Sequence, residues 1–330
     1  MKSQLIFKKI DRFIGQHNLL PDKSKVIIGL SGGPDSVFLL HLLHRYQETK
    51  HLTLIAAHLN HEWRPEANED AQFCKQLAES LPNVAFVKKN ASELNFDLKT
   101  NGSKEELGRK MRRFFFESLV KEYNATSIAL GHHADDQMET FFMRLIRGAQ
   151  ISGLIGMKPK NKLYIRPLLS ISKAEIVNYL DENNISYMID STNQSDAFLR
   201  NRIRNAAIPT LKQADPRFEN QFQRTLGNLQ ETESFLESIT IETFEKIASF
   251  DNQNWHLNLQ QWKSLNAYLQ RRILLHWIIK QNVQFALTES FIEEIMTFLH
   301  KSQKNMHTIH HDWQLLKNDE FFYLQKNYSE

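Results

Sequence analysis

Lys25-Val26-Ile27-Ile28-Gly29-Leu30-Ser31-Gly32-Gly33-Pro34-Asp35-Ser36 decides the fold, with Val37-Phe38-Leu39-Leu40 behind it. A short apolar run enters a Gly-Gly pair, and a helical segment follows over 37–43, which predicts a buried strand, a tight turn and a helix. The glycines let the backbone turn sharply and approach a ligand closely. Backbone N–H groups of the turn and of the helix N-terminus then converge on one point, an anion site. Ser31 and Ser36 add hydroxyl donors. No lysine follows the glycines, so this is not a Walker loop. By contrast with loops that hold a phosphoryl group for transfer, it suits a pyrophosphate that leaves. Asp35 is a carboxylate set among phosphate-binding groups, which requires a cation between the two negative partners. Magnesium takes oxygen ligands and bridges carboxylates to phosphates, so Asp35 is expected to hold Mg2+ and pyrophosphate. The plainer alternative is a first-turn acid stabilised by the helix dipole.

Outward from this loop, strands are expected at 52–59, 84–87 and 127–130, alternating with helices at 68–80, 105–123 and 135–146. Such alternation predicts an α/β fold with a parallel sheet and helices on both faces. Leu5, Ile6, Ile10, Phe13 and Ile14 mark an amphipathic helix at the start. Ser172 with Glu175 has capping-box spacing before a helix at 172–183, and 185–189 reads as a short strand. After Pro209 and Pro216 the pattern changes. A long amphipathic helix near 225–249, a strand at 255–259 and helices at 265–280 and 289–299 are expected there. Strands at 306–316 and 321–326 follow, around a turn at 317–320. The expected division is a catalytic domain at 1–215 and a smaller α+β C-terminal domain at 216–330.

Net charge is only +3, but the seven Lys/Arg residues from Arg144 to Lys173 are unbroken by any acid between Phe141 and Ala174. A one-sided segment of this kind suits phosphates. Cys74 is the single cysteine, so this chain alone builds no disulfide, zinc knuckle or iron–sulfur cluster. No apolar run reaches membrane-spanning length and the N-terminus is not a signal peptide, so no membrane partner is expected and the chain reads as cytoplasmic. The oligomeric state is left open, a homodimer included.

Four further groups carry chemistry. Gly131-His132-His133-Ala134-Asp135-Asp136-Gln137-Met138-Glu139 stands at a second strand end, and Asp136 and Glu139 share a helix face. In an open α/β sheet it would meet the 31–36 loop on the ligand-binding edge. His132 and His133 read as polar lining in preference to metal ligands. His58-Leu59-Asn60-His61, followed by Arg64, fits a nucleoside pocket. Arg109 and Arg112, three apart, suit a phosphate or a carboxylate. Arg200-Asn201-Arg202-Ile203-Arg204 suits an RNA backbone, or else a charged linker.

The hexapeptide 31–36 resembles the PP-loop of ATP-pyrophosphatases, an adenine nucleotide α-hydrolase-like fold that cleaves ATP to AMP and pyrophosphate. The ordered set resembles the tRNA(Ile)-lysidine synthetase family. It comprises 31–36, 58–61 with Arg64, Arg109 and Arg112, 131–140, Arg147-Gly148, Gly153-Leu154, Gly156-Met157, Arg166-Pro167-Leu168-Leu169, Asp190-Ser191-Thr192-Asn193 and 200–204. The likeness covers roughly 25–209. Ending at 330, the chain resembles the shorter members that lack a final extra domain. Glu62 and Gln150 stand where that family usually has glycine, and Arg113 where it has tyrosine.

The resemblance implies that ATP adenylates the 2-carbonyl oxygen of the first-anticodon-position cytidine of a CAU-reading tRNA(Ile). Free L-lysine then displaces AMP to give lysidine. On that reading Asp35 and Asp136 are catalytic. Ser31, Gly32, Gly33, Pro34, Asp35, Ser36, His58 and Arg112 bind ATP. His133, Asp136, Glu139, Arg109 and Arg112 face lysine or cytidine. Arg147, Arg200, Arg202 and Arg204 hold tRNA. The rivals are a sibling tRNA-modifying or amidating ligase and a non-catalytic ATP-binding module. The single cysteine argues against the thiolating siblings.

Overall fold

The computed structural model describes residues 2–63, 65–95, 104–189, 198–251, 254–283, 287–301 and 305–326. Arg64 and Asp190-Ser191-Thr192-Asn193 lie outside them. The chain divides into two compact units, 1–226 and 227–330.

The first unit runs α1 (Lys2–Gln16), β1 (Lys25–Gly29), α2 (Pro34–Gln47), β2 (Thr53–Asn60), α3 (Ala67–Glu79), β3 (Val84–Asn90), α4 (Lys104–Tyr123), β4 (Ser127–Ala129), α5 (Ala134–Ile146) and α6 (Ile151–Leu154). It continues with β5 (Lys160–Asn161), β6 (Tyr164–Ile165), α7 (Lys173–Glu182), α8 (Leu199–Arg202), a π-helical turn at Ile203–Ala207 and α9 (Ile208–Ala214). The sheet order is β3-β2-β1-β4-β6-β5, parallel except for β5. Alternate residues of each strand face opposite sides. Val26, Ile28, Leu54 and Ala56 pack with the apolar faces of α1, α2 and α7, while Ile27, Ile55, Ala57 and Ile128 pack with Met111, Phe115 and Leu119 of α4. Burial on both faces explains the nearly continuous apolar runs.

This order places the site. The chain moves outward from β1 through β2 to β3, then returns to lay β4 on the other side of β1. The reversal leaves a crevice at the carboxyl ends of β1 and β4, where open α/β sheets bind ligands. Ile28 pairs with Ala129, so the 31–36 loop and the 131–136 loop emerge at the same level.

Some expectations change. Residues 185–189 form no strand; one backbone bond, from Met188 N to the Gly32 carbonyl (2.9 Å), ties this segment to the phosphate loop. Helix α10 begins earlier than expected and spans Phe218–Ile247. Phe222 and Leu226 share a core with Met138, Ile203 and Ile208, which is why the first unit extends into this helix.

The second unit holds the antiparallel sheet β7-β8-β11-β10-β9, made of Ala248–Asp251, Asn254–Asn258, Phe321–Lys326, Trp313–Lys317 and Met306–His310 respectively. Helices α11 (Leu259–Lys263), α12 (Ala267–Lys280) and α13 (Glu289–His300) accompany it. Its core centres on Trp262, Trp277, Phe244 and Phe322. The single strand expected over 306–316 is two strands, turned at His311-Asp312. Three polar residues in a row, His310-His311-Asp312, interrupt the alternation there, with no glycine or proline to mark the turn.

Candidate functional site

Ser36 braces the 31–36 loop. Its hydroxyl donates to the Gly33 carbonyl (2.9 Å) and accepts from the Ser31 N–H (3.1 Å), and Ser31 Oγ lies 3.1 Å from Ser36 Oγ. Gly32 takes φ +86°, which L side chains rarely adopt. Pro34 occupies the first turn of α2, where a missing N–H costs nothing. The second loop comes very close: a Cβ on Gly131 would lie 3.0 Å from the Asp35 backbone.

The loop has no lysine of its own, yet one reaches it. Lys173 Nζ sits 2.7 and 2.8 Å from the two Asp35 carboxylate oxygens. Lys173 begins α7, whose start is fixed twice over. Ser172 and Glu175 form the expected capping box, with Ser172 N to Glu175 Oε2 at 2.6 Å and Glu175 N to Ser172 Oγ at 3.2 Å. Asp135 accepts the Lys173 N–H (2.7 Å). In the sequence, Lys173 reads only as part of the basic stretch. Its adjacency to Ser172 and the capping box was the one local signal that it starts a helix.

His133 links the two halves of the site. Its Nε2 is 3.7 Å from Asp35 Oδ1 and 3.5 Å from Asp136 Oδ2, and its Nδ1 is 3.5 Å from Asp135. Burial opposes its charge, but Asp135, Asp136 and Asp35 together raise its pKa above the ordinary histidine value. Asp136 is buried, and that burial works against its ionised form. His133, His132 and Arg200 nevertheless hold its pKa below the usual carboxylate range.

Beyond Asp136 lies a quartet of alternating charge. Arg200 reaches Glu139 Oε2 (Nε, 2.6 Å) and Asp136 Oδ1 (Nη2, 2.7 Å). Arg204 reaches Glu139 through Nε (2.5 Å) and Nη2 (3.0 Å). Expected to face an RNA backbone, both guanidiniums point here at carboxylates of α5. The physical reason is that Glu139 is only 1% exposed, and a carboxylate so buried requires paired cations. Arg202 and Arg147 are exposed.

The basic stretch divides in the same way. Arg144 donates to the carbonyls of Gly153 (2.6 Å) and Gly156 (3.2 Å), Arg166 to that of Lys158 (2.9 Å), and Lys173 holds Asp35. Arg147, Lys158, Lys160 and Lys162 are the exposed ones. His58 is buried and its Nδ1 lies 2.9 Å from the Leu30 carbonyl, tying the ends of β2 and β1. Arg109 and Arg112 are exposed on α4; the field of the first reaches His132 and that of the second His61.

The chain matches the PP-loop domain family over residues 3–211. The chain belongs to that family. The match takes in the 31–36 turn between β1 and α2 and supports the use of ATP. Relatives include proteins named tRNA(Ile)-lysidine synthase. That of Bacillus anthracis is 33% identical, over 90% of this chain and 64% of its own length. That of Bacillus subtilis (strain 168) is 34% identical, over 88% of this chain and 62% of its own length. The chain thus spans less than two thirds of the curated relatives it matches first. Among solved structures, the U34-tRNA thiolase NcsA from Methanococcus maripaludis shares the fold, with a TM-score of 0.57 at 20% identity, over 70% of this chain and 79% of that one.

The three unusual positions each have a local account. Glu62, at φ +58°, keeps the left-handed backbone that glycine adopts freely. Asn60 Oδ1 supports it by accepting the Glu62 N–H (2.9 Å), and the Glu62 carboxylate accepts the Ser92 N–H (2.9 Å). Gln150 is an extended N-cap at φ −69° and needs no glycine. Arg113 turns to the α4 surface, where Nε meets Glu117 at 2.8 Å.

Three imidazoles in and beside the site make stability depend on pH. Burial pushes His132 down to about 4 against the opposing charge of Asp136, with Arg166, Arg200 and Arg109 acting in the same direction as burial. Burial, Arg112 and His58 push His61 down to about 4 as well. Between about pH 6.5 and about 4 the unfolded chain binds protons that these rings refuse when folded, so stability falls as pH drops through that window. His133 acts oppositely: its contribution is present below about pH 6.5 and is lost as pH rises through its raised folded value. The melting temperature should fall on acidification from about pH 7 to about pH 4.5, and less steeply in His132→Asn. An identical slope in that variant would show that His132 is not held neutral.

Proposed function

We propose that this chain uses ATP to adenylate the 2-carbonyl oxygen of the first-anticodon-position cytidine of a CAU-reading tRNA(Ile) and joins free L-lysine to that carbon. The observation that carries this reading is the position of His133. It stands between the PP-loop carboxylate, Asp35, and the mixed-charge group built on Asp136 and Glu139. A triphosphate site and a site for a small zwitterion therefore meet over one imidazole. The names of the relatives supply the tRNA and the lysine.

In the first step the cytosine O2 attacks the α-phosphorus of ATP and the bond to pyrophosphate breaks. The loop N–H groups, Ser31, Ser36 and Lys173 face the departing pyrophosphate charge. Asp35 fits Mg2+: it is a partly exposed carboxylate with a cation, the Lys173 ammonium, already drawn to both oxygens. Bound there, the metal would neutralise phosphate charge. In the second step a lysine amine attacks C2, the C2–O bond breaks and AMP leaves with its electron pair. The amine must first lose a proton, since its free pKa is about 10.4. Asp136, held ionised, is the group assigned on this reading to orient that amine and accept its proton. The guanidiniums of Arg200 and Arg204 suit the lysine carboxylate, as does Arg112. His58 lies where β1 and β2 end, at the nucleoside side. Arg109 belongs to the cytidine side, and exposed Arg147 and Arg202 are the proposed tRNA contacts. The second unit, by this reading, holds tRNA.

The test combines labelled lysine, ATP and isoleucine tRNA with a CAU anticodon. Label should enter tRNA with release of AMP and pyrophosphate, and be lost when the first anticodon base is U. ADP as product, or ammonia or a sulfur donor serving as well as lysine, would overturn the reading.

A further inference from the structure

Trp63 follows β2 and is the only tryptophan before residue 227. Its ring is not tucked into a core: it is 39% exposed. Two contacts hold it in place. His61 stacks on it, with centroids 4.5 Å apart and planes 23° apart. On another side it lies directly on the backbone of α4, where a Cβ on Gly108 would come within 2.6 Å of the indole. Only glycine lets the ring approach so closely. Lys104 Nζ lies 5.0 Å from the ring centroid. Lys104, Gly108 and Arg112 are four residues apart in turn, so they share one face of α4. The indole is thus seated on one face of α4 with the Lys104 ammonium over its ring.

We propose that Trp63 is a stacking platform for a nucleobase of single-stranded RNA, with Lys104 drawing in the adjoining phosphate. The inference rests on the reading that the substrate is a tRNA, and it adds which residue grips the splayed anticodon loop. Unpaired bases are held by aromatic faces flanked by cations, and every base has such a face to offer. An exposed indole held by a neutral imidazole and a bare helix backbone meets that need without rearrangement. Lys104, on a long flexible stem, can yield to an incoming base and keep its charge beside the phosphate. The position also fits. His61 precedes Trp63 by two residues and lies in the field of Arg112 and His58, and His58 bonds the β1 end that leads into the PP-loop. The platform therefore follows the carboxyl end of β2, the strand beside β1 and its 31–36 turn. The adenine of ATP is the other planar group available, and the experiment separates the two.

The full chain is titrated with a synthetic anticodon stem-loop RNA carrying CAU, and separately with ATP, while tryptophan fluorescence and binding are followed. RNA should quench the wild-type emission. Trp63→Phe should lose that quenching yet keep RNA affinity within about threefold, because a phenyl ring still stacks. Trp63→Ala, shown folded by its melt, should bind the RNA about tenfold or more weakly, the loss of one stacked base, with ATP affinity unchanged. Undiminished quenching in Trp63→Phe, or unchanged RNA affinity in Trp63→Ala, would overturn the platform. So would a loss of ATP affinity in place of RNA affinity. Lysine incorporation by the wild-type protein is scored in parallel. Quenching and weaker RNA binding without incorporation would refute the lysine reading and leave the platform standing. Incorporation indifferent to Trp63 would do the reverse.

Discussion

Lys173→Met is expected to slow release of pyrophosphate from ATP by about a hundredfold or more, the loss typical of removing one preorganised donor from a developing charge. The methionine keeps the length and apolar stem of lysine and deletes only the ammonium. That ammonium now lies 2.7 and 2.8 Å from the Asp35 carboxylate, at the mouth of a loop that carries no lysine. On the proposed reading, Lys173 would turn to the phosphates of bound ATP, and Asp35 would then be left to hold a metal ion that neutralises phosphate charge. The side chain is 38% exposed and its backbone is held independently by Ser172, Glu175 and Asp135, so the fold should survive. Lys173→Arg should recover part of the rate. Turnover of Lys173→Met near that of the wild type, with an unchanged melt, would remove Lys173 from the site.

Glu139→Ala should be the most destabilising single change in the first unit. Glu139 is 1% exposed and receives the side chains of both Arg200 and Arg204. Deleting one partner of a buried ion pair leaves uncompensated charge, at a cost of about 3–5 kcal/mol. In this case Arg204 loses both of its contacts to the carboxylate and Arg200 keeps its contact to Asp136. For a unit of this size the melting temperature should drop by roughly 10 °C. Glu139→Gln keeps an acceptor oxygen in the same volume and should lose distinctly less. An Ala variant that melts with the wild type would mean that solvent, and not Glu139, satisfies the two arginines.

These two residues show where reading along the chain succeeds and where it stops. The strand, glycine turn and helix at 25–43, the second loop at 131–140 and the capping box at Ser172 are local patterns. Each follows from hydrophobic period, from turn chemistry or from a side chain bonding a backbone group three residues away. The parallel sheet and the meeting of the two loops followed from the alternation of elements. The turn at His311-Asp312 and the absence of a strand at 185–189 were not legible. In the first case the local signal is three polar residues in a row, His310-His311-Asp312, without the glycine or proline of a tight turn. In the second, an apolar extended segment was taken by contacts other than a sheet ladder.

Local patterns along the chain thus carried the fold class, the strand–glycine turn–helix at 25–43 and the list of polar residues at the carboxyl ends of the strands. Only the tertiary structure decided which charges face each other. Lys173 meets Asp35 across 138 residues, and Arg200 meets Asp136 across 64. Two arginines and a lysine that read as surface charge for RNA became internal partners of carboxylates. Periodicity and turn propensity act over a few bonds and leave their mark in neighbouring letters. Charge pairing acts through space, and a buried carboxylate takes whichever cation the packed helices bring within reach.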